Sequence, residues 1–366
     1  MIDDHAHPFS LEPGPLDLAD LTLDFVDAVD ADRRRRLRPT YLWHELLTGR
    51  LARYLDCRPD EVVEARAERS ADYRAYTTAL FADAGITEIL MDPAWPTGSP
   101  ERAAAWAELS GCRIHLLHRV DPLIDRHLEE GSSFAEIVAA FDDALDRARS
   151  DGFVGLKTIV AYRTGLSISG TVTEAEARAS VGRDPDGTPV KRRAKSLRDF
   201  LVRRALRFSA DTGLPMQVHT GFGDSDIRLG DADPLHLEEV LRTPEGTAAP
   251  IVLIHGGFPY HEEVGFLATA RPNVHVDFSL FNIFAPARLR DRLLTLIELA
   301  PTGKVLAGTD GFSVPEAFWF AASVTRDAWD DVGATLLASG VSEKWLRTAT
   351  SDVFEDNARR LYRLDG

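Results

Sequence analysis

Residues 251–278 read IVLIHGGFPYHEEVGFLATARPNVHVDF, and they contain one complete strand–helix–strand unit. The unit opens on the short apolar run Ile251–His255, continues through a segment with helical periodicity at His261–Ala270, and returns to a second apolar run at Val274–Phe278. Short apolar runs that alternate with helical segments predict βαβ units and a parallel sheet.

The same alternation extends over the whole chain. Eight candidate strands can be recognised, at residues 1–5, Ile86–Asp92, Arg113–Arg119, Val154–Ala161, Met216–His219, Ile251–His255, Val274–Phe278 and Lys304–Gly308. Helical segments lie between most of them, for example Phe134–Arg149, Leu197–Thr212, Pro234–Leu241, His261–Ala270 and Arg288–Leu299. We therefore predict an α/β fold, a (β/α)8 TIM-like barrel. An open doubly wound sheet is disfavoured because no GxGxxG turn follows the first strand.

The length of the chain agrees with a barrel that carries two insertions. The chain has 366 residues, whereas a barrel of this kind needs about 250. A helical insertion after the first strand, at about residues 10–84, and a second one at about 166–196 account for nearly all of the difference. We expect a single barrel domain over residues 1–366, with both insertions on the face where barrel enzymes carry their active sites.

The composition disfavours several classes of partner. The 42 basic and 58 acidic residues give a net charge of −16, which disfavours nucleic acid and anionic membranes because these need a basic field. No apolar run approaches the roughly 18 residues of a membrane span, and the N-terminus does not resemble a signal peptide. The two cysteines, Cys57 and Cys112, cannot form a disulfide framework. We expect a cytoplasmic protein that acts on a small molecule.

Metal-binding side chains recur at the carboxyl ends of the predicted strands. The first strand ends in His5-Ala6-His7, the fifth and sixth end at His219 and His255, and Asp310 follows the eighth. Alternate residues of a strand point to the same side, so His5 and His7 can face the barrel mouth together. Several imidazoles and a carboxylate at one mouth form a ligand set for a divalent transition metal.

Several longer stretches carry a resemblance to a known family: GLKTIVAYRTGL at 155–166, QVHTGFGD at 217–224 and KVLAGTD at 304–310, with support from IVLIHG at 251–256 and PEAFW at 315–319. They resemble the amidohydrolase superfamily, in particular the amidohydrolase-like domain of nodulin/FluG-type proteins. The resemblance runs from the first strand to about residue 330. It implies a metal-dependent hydrolase, and a homo-oligomer is expected with it.

Taken with the strand ends, the resemblance implies a role for each candidate. His5, His7, His219 and Asp310 are expected to bind one or two divalent ions, zinc in the first place and manganese as the alternative. Asp310 is expected to act as general base and then acid, while His255 orients the water or polarises the scissile carbonyl. Lys157 has two alternative roles. It is either a carboxylated lysine that bridges two metals, as in binuclear members, or an ammonium that pairs with Asp310 or with a substrate carboxylate beside a single metal.

The substrate is expected to be a small molecule that carries a carboxylate. Arg163 is the candidate anchor, because a planar guanidinium can hold a carboxylate with two hydrogen bonds; a salt bridge within the loops is the alternative. Asp224, Tyr162 and Trp319 complete the candidate substrate-binding residues. The favoured reaction is hydrolysis of an amide or a related C–N bond. Non-hydrolytic decarboxylation, isomerisation and a non-catalytic binding or scaffold barrel are the alternatives.

Overall fold

The structure is a computed structural model that describes residues 1–14, 32, 36–94, 99–182 and 187–364. Eight parallel strands follow one another in a single sheet, in the order of the chain. They are β1 (Ile2–Ala6), β2 (Glu88–Met91), β3 (Arg113–Arg119), β4 (Gly155–Thr158), β5 (Met216–His219), β6 (Ile251–Ile254), β7 (Val274–Asp277) and β8 (Val305–Leu306).

The first and last strands are joined by backbone hydrogen bonds. The amide of Asp4 donates to the carbonyl of Ala307 at 2.8 Å, and the amide of Asp310 donates to the carbonyl of His5 at 2.8 Å. The amide of Thr309 donates to Oδ1 of Asp3 at 2.7 Å. The eight parallel strands thus surround one interior, and the predicted TIM-like barrel is confirmed.

Helices surround the strands. They are α1 (Leu42–Leu55), α2 (Val62–Arg69), α3 (Tyr73–Ala84), α4 (Ala103–Ser110), α5 (Asp121–Glu129), α6 (Phe134–Ser150), α7 (Glu174–Ser180), α8 (Lys195–Thr212), α9 (Pro244–Ala248), α10 (His261–Ala270), α11 (Phe281–Phe284), α12 (Leu289–Leu299), α13 (Pro315–Ala338), α14 (Glu343–Ser351) and α15 (Asn357–Tyr362). Among the helices of the described ranges, none combines the length and the apolarity needed to cross a bilayer.

Two predicted segments can be compared with these helices. Helices α1 to α3 lie between β1 and β2, within the stretch predicted as a helical insertion; residues 15–31 and 33–35 of that stretch lie outside the described residues. The helix predicted at Pro234–Leu241 is wrong, because this stretch forms two 3-10 turns, Pro234–Glu238 and Val240–Arg242. The side chain of Asp233 accepts a hydrogen bond from the amide of Leu235, and this bond caps the first 3-10 turn at its amino-terminal end.

The two ends of the barrel are built differently. At the amino-terminal end, Tyr362 of α15 packs into a buried apolar cluster with Ile2 and Leu117. Its hydroxyl accepts a hydrogen bond from Nε2 of Gln217 at 2.9 Å. Because α15 covers the amino-terminal end of the barrel, a functional site is expected at the opposite end, where the carboxyl ends of the strands lie.

Candidate active site

The predicted metal-binding residues converge at the carboxyl ends of the strands. His5 belongs to β1, and His255 and Asp310 follow β6 and β8. One ring nitrogen of each histidine and one carboxylate oxygen of Asp310 lie within 4.8 Å of one another, and all three residues are buried. His7 joins them, with its Nε2 at 3.3 Å from Oδ1 of Asp310. His219 is next to His255, with its Nδ1 at 3.0 Å from His255 Nε2.

The hydrogen bond behind His7 decides which of its nitrogens faces the site. Nδ1 of His7 lies 3.1 Å from the carbonyl oxygen of Asp92. A carbonyl oxygen can only accept, so in the neutral ring Nδ1 carries the proton and Nε2 carries the lone pair. This lone pair is directed at Oδ1 of Asp310, which is also an acceptor. In this form of the ring, a cation between the two atoms, which are 3.3 Å apart, would be bound by both; a second proton on the ring would instead make an ion pair with Asp310.

The same conflict occurs between His219 and His255. Nε2 of His219 donates to the carbonyl of Phe222 at 3.2 Å, so Nδ1 carries the lone pair. Nδ1 of His255 donates to the hydroxyl of Ser279 at 2.7 Å, because that hydroxyl donates its own hydrogen to Oδ1 of Asp277 at 3.0 Å. Burial lowers the pKa of both histidines well below the usual value, so both rings are neutral. Two lone pairs therefore face each other at 3.0 Å.

A divalent metal ion fits this donor set. Oδ1 of Asp310 is buried and accepts no hydrogen bond from any residue that the structure describes. Unprotonated imidazole nitrogens and a carboxylate oxygen that meet in one place are the ligands of a transition metal. The bonds from His7, His219 and His255 to groups behind them orient the rings, as outer partners do in metal sites.

The backbone at the site is strained. His255 and Asp310 have φ angles of 70° and 53°, in the left-handed region that residues other than glycine rarely adopt. The amide of His255 donates to Oδ1 of Asp277 at 2.5 Å, which holds this conformation in place. Gly308 comes so close to Asp277 that an added Cβ would lie 2.5 Å from Oδ2. Strain of this kind is characteristic of functional sites, where the surrounding structure maintains it.

Lys157 lies beside these ligands, buried in β4. Its Nζ is 3.2 Å from Nε2 of His5, and only 1% of the residue is exposed. Burial lowers the pKa of Lys157 to about 8; Asp92 opposes this effect and Arg119 adds to it. Part of the population is therefore a free amine at neutral pH, the form that can be carboxylated. The rest is an ammonium, the form that the alternative role of Lys157 as a charge partner requires.

A cavity of about 300 Å³ opens above the ligands, and this volume suits a small molecule. Polar and charged side chains dominate its wall, which includes His7, Arg119, Lys157, Tyr162, Arg163, His219, Asp224, Asp226, His255 and Asp310. The sequence predicts six metal-binding or catalytic residues, and five of them line this wall. The sixth, His5, is fully buried beneath the cavity surface.

The predicted substrate-binding residues do not all reach the cavity. Tyr162 and Asp224 line it, and the hydroxyl of Tyr162 accepts a hydrogen bond from the amide of Asp224 at 3.1 Å. Arg163 also lines it, but Nε and Nη2 of Arg163 both bind Oδ2 of Asp125 at 2.8 Å. A salt bridge, the alternative for Arg163, is thus present, although its partner Asp125 belongs to helix α5 and not to a loop.

The prediction for Trp319 is corrected. Its indole nitrogen donates to Oδ2 of Asp83 at 2.7 Å, and its ring lies 5.2 Å from that of Tyr54. Helix α13 begins at Pro315 and carries Trp319 into the core against the helices that follow β1. The residue is therefore a packing residue of the described core and does not line the cavity.

Four residues that support the site were missed. Asp92 and Arg119 come at the ends of the second and third predicted strands, where the reasoning that found His219 could also have found them. Asp277 ends β7 in the same way, and its carboxylate holds both the amide of His255 and the hydroxyl of Ser279. For Ser279 the sequence offers no signal.

The chain belongs to the amidohydrolase family, because a family model described as Amidohydrolase matches residues 2–364. Protein fluG of Emericella nidulans is similar, with 32% identity over 234 residues. The matched part covers 60% of this chain and 27% of fluG, so the chain spans well under two thirds of that relative. The resemblance inferred from the sequence is thereby confirmed.

Solved structures show the same fold. A Lactobacillus casei protein assigned to the metal-dependent hydrolases superposes with a TM-score of 0.86 and 24% identity, over 99% of this chain and 95% of the other. The uronate isomerase of Thermotoga maritima follows with a TM-score of 0.69 and 15% identity, over 99% and 94% of the two chains. At these identities the comparison establishes the barrel, and the fold is shared by hydrolases and isomerases.

Proposed function

We propose that this protein is a metal-dependent hydrolase that cleaves an amide or a related C–N bond in a small, carboxylate-bearing molecule. The observation that supports this most is that ligand atoms of His5, His7 and His255 meet the buried carboxylate of Asp310, with Nδ1 of His219 at 3.0 Å from Nε2 of His255. His5, His7, His219 and Asp310 would hold the metal, and Nε2 of His255 would be a further ligand, because His5, His255 and Asp310 each offer a ligand atom within 4.8 Å of the others. This set of nitrogen and oxygen ligands favours zinc, with manganese as the alternative. When bound, such an ion activates water and polarises a carbonyl group.

Asp310 is the proton carrier in this proposal. One oxygen of its carboxylate would bind the metal, and the other would take a proton from the attacking water. The water oxygen joins the carbonyl carbon, the C–N bond breaks, and Asp310 returns the proton to the leaving nitrogen. The products are a carboxylic acid and an amine, or ammonia.

The tautomer of His255 narrows its role. Its Nδ1 proton is committed to Ser279, and Nε2 carries a lone pair. This nitrogen can accept a hydrogen from the water or bind the metal, but it cannot donate to a carbonyl. Of the two roles expected from the sequence, orienting the water therefore agrees with the hydrogen bonding, whereas polarising the carbonyl does not.

The test is turnover by the metal-loaded protein on a panel of small carboxylated amides, with release of amine or ammonia as the readout. Asp310→Asn should lower kcat by about 10²-fold or more while metal stays bound. Asp142→Asn, the same change on the outer helix α6, should leave kcat unchanged. Wild-type turnover by Asp310→Asn in the absence of metal loss would contradict the role of Asp310. Release of carbon dioxide, or isomerisation without cleavage, would contradict the hydrolase assignment.

A further inference from the structure

Two charged residues of the cavity wall, Arg119 and Asp224, have no part in the chemistry above. Arg119 is the last residue of β3, and its register partner on β4 is Lys157. Since Nζ of Lys157 lies 3.2 Å from Nε2 of His5, Arg119 is one strand removed from the ligands. Arg163, in contrast, follows the end of β4, and its Nε and Nη2 are both bound to Asp125.

The guanidinium of Arg119 is held from behind. Its Nε lies 2.7 Å and its Nη2 lies 2.6 Å from Oδ2 of Asp92. Asp92 is fully buried, and its other oxygen accepts a hydrogen bond from the amide of Ala94 at 3.0 Å. Arg119 therefore has a fixed orientation and does not move as a flexible surface cation would.

One edge of this guanidinium remains open. The edge between Nε and Nη2 is used by Asp92, and Nη1 has no hydrogen-bond partner among residues 1–14, 32, 36–94, 99–182 and 187–364. The Arg119 side chain lines the cavity and is 9% exposed, and the edge between Nη1 and Nη2 is the one that its contacts leave for a ligand. This edge can donate two parallel hydrogen bonds to a carboxylate.

Asp224 presents the opposite charge. Its amide is bonded to the hydroxyl of Tyr162, but its carboxylate accepts no hydrogen bond from the part of the chain that the structure describes. Burial, and then the nearby carboxylate of Asp310, raise the pKa of Asp224. A half-buried carboxylate without a partner is costly, and a cationic group of a ligand would compensate it.

We infer that the cavity takes a zwitterionic amino-acid derivative, whose carboxylate binds Arg119 and whose ammonium group binds Asp224. The amide of this molecule would then face the metal-binding residues, so the inference rests on the proposed function and makes its substrate class narrower. A fixed cation and a half-buried carboxylate in one small cavity select molecules that carry both charges, because a ligand without an ammonium group leaves Asp224 unpaired and a ligand without a carboxylate leaves the open edge of Arg119 unused.

Four matched amides test this inference. L-asparagine carries both charges, succinamate carries only the carboxylate, 3-aminopropanamide carries only the ammonium group, and propanamide carries neither. Binding is measured by calorimetry on metal-loaded Asp310→Asn protein, and hydrolysis by ammonia release from wild type. A second set, in which each probe is one methylene longer, tests a larger distance between the charges and the amide. The doubly charged probe of at least one set should bind at least about 30-fold more tightly than its singly charged analogues.

The variants assign each charge to its residue. Arg119→Met should weaken only the probes with a carboxylate, and Asp224→Asn only those with an ammonium group, each by about 30-fold or more. If the Met variant does not fold, Arg119→Lys is the substitute, because lysine keeps a cation beside Asp92. It should weaken binding of the same carboxylate probes, because lysine lacks the planar guanidinium that donates two parallel hydrogen bonds. Arg204→Met, on the outside of α8, should change nothing.

The outcomes separate this inference from the proposed function. Equal binding of all four probes in both sets, or equal weakening of all probes by either variant, would overturn the inference even if an amide is hydrolysed. Selective binding of the zwitterion without ammonia release in wild type would support the inference and contradict the hydrolase.

Discussion

The hydroxyl of Ser279 is predicted to hold the metal site together through His255. It accepts the Nδ1 proton of His255 at 2.7 Å, and the residue is fully buried. Ser279→Ala leaves this N–H group buried without an acceptor, which should lower the free energy of unfolding by about 1–3 kcal/mol. The carboxylate of Asp277 loses one donor but keeps the amide of His255 at 2.5 Å. The damage is therefore concentrated on the orientation of the imidazole.

Loss of this outer partner should weaken metal binding by about 10–100-fold. The assay is competition with a chelator of known affinity, together with urea unfolding of the metal-free and the metal-loaded protein. Ser209→Ala is the matched control, because Ser209 is equally buried and donates to the carbonyl of Leu214 at 2.6 Å, far from the site. It should lower stability and leave metal affinity unchanged. If Ser279→Ala behaves like Ser209→Ala, the argument from the tautomer of His255 is refuted.

Two further substitutions test other parts of the account. Lys157→Ala should abolish most activity. Loss of one metal equivalent, with partial rescue by short carboxylic acids, identifies a carboxylated bridge, whereas unchanged metal content identifies a charge partner. Unaltered activity together with unaltered metal content would contradict both roles. His275 has its pKa lowered to about 4 by burial and then by Lys304. As the pH falls, His275 is therefore protonated at a higher pH in the unfolded chain than in the folded protein, and the free energy of unfolding decreases between about pH 6.5 and pH 4. Compared with His236→Gln at the surface, His275→Gln should reduce this pH slope of unfolding by up to about 1.4 kcal/mol per pH unit, and an unchanged slope would contradict the assignment.

The barrel could be predicted from the sequence because its strands are buried on both faces. In a parallel sheet covered by helices, a strand is a nearly continuous apolar run, as in Ile251–Ile254. The run at Val154–Ala161 is also apolar beyond the end of its strand. There the chain leaves the sheet at Thr158 and forms a 3-10 turn at Val160–Tyr162. Hydrophobicity alone does not show where hydrogen bonding to neighbouring strands stops.

The candidate site was partly predictable for a topological reason. In a barrel the carboxyl ends of all strands meet, so His7, His219 and Asp310 come together although they are far apart in sequence. The partners of the wall residues follow no such rule. Arg163 binds Asp125, 38 positions away on α5, and Trp319 turns into the core because of how α13 packs. Both depend on helix packing, which the sequence pattern does not specify.

Metal content of the wild-type protein is the most direct measurement of the central claim. Purified protein is stripped with a chelator, incubated with zinc or with manganese, freed of excess ion and subjected to elemental analysis. The lone pairs of His7, His219 and His255 that face Asp310 and each other predict between one and two bound equivalents, and His219→Ala should lower that content. Protein that retains no metal after both incubations would contradict the metal site, and with it the hydrolase.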